Sequence, residues 1–142
     1  MAGSLIKLDE VIVTTSASNI TLGNTNWDNS FNAYQILITN AQVDVDNTDF
    51  RLRFLNSGTP ITDSLYDVAA KRLFVGSSFD SQTNEDQTSI DLTMNIGNSS
   101  TEHFQSNIFI FCANQSQFTY CTFDNAMRSP TGDLRGKQGV GV

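Results

Sequence analysis

Residues 89–96, SIDLTMNI, alternate without a break: Ile90, Leu92, Met94 and Ile96 take every second position, with Ser89, Asp91, Thr93 and Asn95 between them. Successive side chains of an extended strand point to opposite faces, so this period presents four apolar groups to one surface. A helix would scatter them, because its same-face neighbours recur every three or four residues. The same period returns in DFRLRFL, where Phe50, Leu52 and Phe54 oppose Arg51 and Arg53, and in AYQILITN, where Tyr34, Ile36 and Ile38 share a face. LIKLDEVIV offers Ile6, Leu8 and Ile12, interrupted by Glu10. Turn-forming clusters separate the runs: GNTNWDNS at 23–30, NSGTP at 56–60, GNSST at 97–101 and ANQSQ at 113–117. Such spacing predicts an all-β antiparallel sandwich or barrel, with Phe50, Leu52, Phe54, Ile90, Leu92, Met94 and Ile96 as a core face. One segment reads two ways. In TDSLYDVAAKRLFVG, Leu65, Val68, Ala69 and Leu73 have helical spacing behind Thr62 or Asp63 as a cap, whereas Tyr66, Phe74 and Val75 suit a strand.

SNIFIFCANQSQFTYCTF at 106–123 reads as a β-hairpin that is apolar on both faces, which predicts strands inside a sheet. Cys112 and Cys121 then fall on one face, opposite or one diagonal apart. A structural zinc site needs four converging ligands, commonly including a tight C-x-x-C pair. Cys112, Cys121 and His103 supply three residues and no such pair, so the cysteines are expected to pack as small hydrophobes. A nucleophilic cysteine needs a polar, electropositive setting, and here Ile110, Phe111, Tyr120 and Phe123 surround the thiols.

Acidic residues outnumber basic ones 15 to 8, for a formal net charge of −7. This balance repels phosphate backbones and anionic lipid surfaces, so neither nucleic acid nor membrane insertion is expected. The start, MAGSLIKLDEVIV, has no basic n-region, and Lys7, Asp9 and Glu10 break its apolar segment, so the sequence reads as made in the cytoplasm without an export signal. No run approaches the roughly 18 apolar residues of a membrane span. One domain with reduced cysteines is the expectation.

DVDNTDF brings Asp44, Asp46 and Asp49 together as a loop that could hold a cation, but an EF-hand requires Gly and Glu where Asp49 and Leu55 stand. A solvated acidic turn is the simpler reading. Glu85 and Asp86 lie in a polar loop, and neither a nucleophile elbow nor a glycine-rich phosphate loop is present in the sequence. No catalytic residue, metal or cofactor is therefore assigned. Trp27, the only tryptophan, sits in a polar loop, where it either covers the end of the core or stacks on a sugar.

The opening MAGSLIKLDEVIVTTSASNITLG, then WDNSFNAYQILITNAQVDVDNTDFRLRFLNSGTP, then GNSSTEHFQSNIFIFCANQSQFTYCTF, resembles a group of virion proteins of tailed phages, notably marine and cyanobacterial ones. The resemblance covers most of residues 1–124 and rests on structural rather than catalytic motifs. It implies a jelly-roll-like sandwich used in tail fibres, other appendages or capsid decoration, commonly as a homotrimer. Against that pattern, SPTGDLRGKQGVGV loses alternation. Residues 1–125 are thus expected to form the sandwich, and 126–142 a glycine-rich arm or the start of a continuation. Leu5, Lys7 and Asp9 near the start, and Arg128, Arg135 and Lys137 in the tail, are the expected intersubunit contacts. Two function classes follow. One is a non-enzymatic virion component that binds itself and neighbouring virion proteins; the other is a carbohydrate- or receptor-binding module that contacts a host surface glycan, with Trp27 as its weak ligand candidate.

Overall fold

A computed structural model describes residues 5–23, 27, 30–76, 79–113 and 117–142. The turn residues 24–26, 28 and 29, and the hairpin residues 114–116, lie outside this set. Ten strands and no helix occur among the described residues: β1 (Ala33–Ala41), β2 (Arg51–Leu52), β3 (Leu55–Asn56), β4 (Thr59–Pro60), β5 (Tyr66–Phe74), β6 (Asp80–Gln87), β7 (Ile90–Asp91), β8 (Phe104–Phe111), β9 (Tyr120–Arg128) and β10 (Leu134–Gly141). The long strands make one antiparallel sheet in the order β1-β8-β9-β10-β5-β6. Two small pairs, β2 with β7 and β3 with β4, complete the pairing. The all-β class is as expected, and the arrangement is consistent with a sandwich. A jelly roll divides eight strands between two sheets; here six share one sheet, and the facing layer holds only short pairings among the described residues.

That facing layer explains why alternation in SIDLTMNI is right while its ladder is short. Segments 48–52 and 90–96 run antiparallel, bonded through Leu92 N to Phe50 O at 3.0 Å and Ile96 N to Thr48 O at 2.9 Å. Asn47 and Asn95 adopt positive φ, at 62° and 47°, which interrupts regular pairing. Ile90, Leu92, Met94 and Ile96 are nonetheless all buried, with Ser89 and Thr93 buried beside them. Phe50, Leu52 and Phe54 are partly buried against them. Truncation of Leu92 to Ala should therefore cost about 3 kcal/mol, read as a lower urea midpoint at unchanged slope.

Register shows how the inner face of the sheet is organised. Ile36, Ile108, Phe123, Gly139 and Ala70 form one row across five strands, and Ala41, Phe104, Met127, Arg135 and Phe74 another. Between them lies a polar row: Ser106, Asn125, Lys137, Arg72 and Asp80. It separates an apolar cluster around Tyr66, Ile90, Ile108 and Phe123 from a second around Ile96, Phe104 and Met127. Buried polar groups persist only when hydrogen-bonded. Ser106 Oγ donates to Asn125 Oδ1, Asn125 Nδ2 donates to the Leu92 carbonyl, and Lys137 Nζ donates to the carbonyls of Asp91 and Thr93. The row thus fastens the irregular segment 91–93 to the sheet. At its outer end Arg72 grips Asp80 through two bonds of 2.6 and 2.5 Å, which raises the guanidinium's affinity for its proton and lowers that of the carboxyl.

One open reading is decided and two expectations are corrected. TDSLYDVAAKRLFVG contributes strand β5, because Tyr66, Val68 and Ala70 alternate inward with Asp67, Ala69 and Lys71 outward. The start LIKLDEVIV forms no strand among the described residues. Finally, the tail is neither an arm nor a boundary: β9 runs through residue 125, and β10 lies between β9 and β5 in the sheet.

Candidate interaction surfaces

The hairpin of β8 and β9 pairs Ile110 with Cys121 and Phe111 with Tyr120. Both strands lie inside the sheet, as the two apolar faces predicted. Cys121 points into the core and is buried, while Cys112 lies one residue beyond β8 at φ 59°, and both are free thiols. His103 and Cys112 bracket the length of β8, which separates them by on the order of 30 Å. They cannot share a metal with Cys121. His103 Nε2 lies 2.9 Å from the Ser100 carbonyl. Burial pushes the Cys121 thiol up to about 11 from 9.0, so the thiolate is suppressed at neutral pH.

The shift fixes a pH dependence. Unfolded chains release the Cys121 proton first, so its stabilising contribution is complete below pH 9.0 and is lost as pH rises toward about 11. The loss should reach about 2–3 kcal/mol. Lys137 works in the opposite sense: desolvation by burial lowers its affinity for a proton, opposed by Asp91 and Asp49, so its contribution grows with pH below 10.5. Comparing urea unfolding of the parent and of Cys121→Ala across this window isolates the thiol; parallel profiles would show that it carries none of the effect.

The outer face of the sheet is where side chains converge in solvent. Asn107, Asp124, Gln138 and Lys71 stand in one cross-strand row, each opposite the next. The adjacent row carries Phe109, Thr122, Val140 and Ala69. All of these but Ala69 line a shallow, open depression. Gln35 Nε2 donates to Asn107 Oδ1 at 2.7 Å, orienting that amide. Phe109 and Phe111 stack with ring centroids 6.4 Å apart, both partly exposed. Apolar surface, an acid, a base and two amides thus share one face, which can take either a polar ligand or another protein. Separate sequence segments supply these rows, so only the register reveals them.

A second exposed surface precedes the sheet. All of residues 11–20 are exposed, including Val11, Ile12, Val13 and Ile20, and Leu5 is 88% exposed. Leu8 alone of 5–20 packs on the core.

The expected contact residues divide. Leu5 is free to meet a partner, and Lys7 forms a 2.8 Å ion pair with Glu10 at the surface. Asp9 works within the chain, accepting bonds from Gly23 N at 3.0 Å and Glu10 N at 2.8 Å. Arg128 donates to the Gly132 carbonyl at 2.8 Å across the β9–β10 turn. Arg135 lies over the Phe74 ring at 5.7 Å. Lys137 is fully buried, so its amine cannot meet a second chain. Trp27 is partly buried and stacks on Tyr34, with centroids 4.0 Å apart and planes at 18°, so that ring face covers the core. Asp49 accepts a 2.6 Å bond from Asn95 N, and among the described residues Asp44, Asp46 and Asp49 are not drawn into a cation-binding cluster. Comparison with family models, curated proteins and solved structures returns no match.

Proposed function

We propose that this chain is a non-enzymatic structural component of a tailed-phage virion, in a tail fibre, appendage or capsid decoration, acting through self-association and docking to other virion proteins. The observation that carries the reading is the unbroken exposure of residues 11–20 with their β-branched aliphatic run. Apolar surface of this kind beside a stable core is a mark of protein contact. The phage assignment and the choice of three copies come from the resemblance of residues 1–124 to virion proteins. Sedimentation velocity of the full chain should show a species of three chains that dissociates on dilution, and mass spectrometry of purified particles should find the chain at many copies. A monomer at every concentration, or a chain missing from particles, would remove the reading.

A second reading, binding of a host surface glycan, is favoured by the outer-face depression. Phe109 offers an apolar platform beside the hydrogen-bonding groups of Asn107, Asp124, Gln138 and Lys71, the mixture that sugar hydroxyls and ring faces require. Retention on a glycan array that is lost in Phe109→Ala, with an unchanged circular dichroism spectrum, would establish it over the first.

A further inference from the structure

Residues 10–21 form a loop whose ends are tied: Asp9 Oδ2 accepts from Gly23 N at 3.0 Å, and Leu8 is packed on the core. Between these ties Val11 is 46%, Ile12 77% and Val13 50% exposed. VIVTT is a run of five β-branched residues, the composition that most favours an extended strand. Nevertheless, among the described residues, it pairs with no strand of the sheet. A local preference that the fold of one chain leaves unsatisfied points to pairing between chains.

The sheet offers two edges, and they differ in charge. β6 carries Asp80, Glu85 and Asp86, which oppose the approach of a segment led by Asp9 and Glu10. β1 contains no charged residue and no proline, and Leu37 at its centre is 68% exposed. Among the described residues β1 has a ladder partner, β8, on one side only. We propose that residues 11–15 of one copy add as a strand to the free edge of β1 in a second copy, extending its sheet by β-augmentation. This rests on the self-association reading above and names its donor and acceptor. The donor and acceptor surfaces are different, so each copy gives one strand and receives one; a head-to-tail contact of this type closes into a ring where the rotation between copies closes, and runs on as a filament where it does not.

The test uses full-length chains in sedimentation velocity. A donor variant, V11K/V13K, and an acceptor variant, Leu37→Lys, place lysines on exposed positions, and a lysine on an edge strand discourages pairing. Each alone should raise the dissociation constant of the oligomer about tenfold or more. Mixed together they retain one intact donor and one intact acceptor, so the mixture should stop at a heterodimer. In parallel, amide exchange in the parent should slow at residues 11–15 and 35–39 as protein concentration rises, a readout that survives if either variant folds poorly. An oligomer unchanged in the variants, or amide protection that rises elsewhere but not in these segments, overturns the strand exchange while leaving self-association standing. A parent that remains monomeric overturns both.

Discussion

Gly139→Val should fail to accumulate as a folded protein. Gly139 lies in β10 opposite Phe123 on one side and Ala70 on the other. A Cβ built there would stand 2.5 Å from Phe123 Cζ, 2.8 Å from the Ala69 carbonyl and 2.8 Å from Ala70 Cβ. Two of these obstacles are backbone or a Cβ, which cannot swing aside, and the ring is held by the core cluster. Overpacking usually costs 1–3 kcal/mol; a clash against fixed atoms in a middle strand should cost about 4 kcal/mol or more, much of the stability of an ordinary domain. The measurement is soluble yield and the urea midpoint beside Gly132→Ala, where a Cβ meets nothing within 4 Å and only the positive φ of 78° is strained. Equal behaviour of the two variants would show that the Phe123 seat is unimportant.

Lys137→Ala should cost about 4 kcal/mol. Its removal leaves the carbonyls of Asp91 and Thr93 without their buried donor and opens a void beneath Phe123, while relief of the ammonium's desolvation returns part of the loss. Lys137→Met fills the void but donates nothing, so it should recover about 2 kcal/mol. A methionine variant as stable as the parent would mean that the bonds to segment 91–93 contribute no net stability.

The sequence reveals side-chain alternation well and strand partnership poorly. Ile90, Leu92, Met94 and Ile96 were legible because each meets the core whether or not its backbone joins a regular ladder. The tail was not legible, because glycine suggests loops when read locally. In β10 Gly139 and Gly141 are small because Phe123 and Ile90 occupy the space above them, and those residues come from other strands. Lys137 misled for a related reason: a lysine in a polar stretch reads as surface, and only the register against Asn125 and Arg72 places it inside. Local spacing left β5 open between helix and strand, and pairing with β10 and β6 decides it. On the outer face, the depression depends on the same long-range register. The start LIKLDEVIV was visible as an apolar, strand-like run; that it joins no strand among the described residues was not.

The strand order has a consequence for biosynthesis. β10, last in chain order, is the seam joining β5 and β6 to β9, β8 and β1. A nascent chain emerges from its N-terminal end, so β5–β6 and β8–β9 can close as local hairpins while the two halves remain without a common ladder. Ribosome-arrested chains that expose everything up to β9 should therefore stay sensitive to protease, and resistance should appear in a single step once β10 has cleared the exit tunnel. Gradual protection during elongation would contradict this order. Throughout the waiting period β1 has no neighbour until β8 emerges, and the run at 11–15 is already outside, so neighbouring ribosomes on one message would present donor segments and naked acceptor strands to each other before any chain is finished.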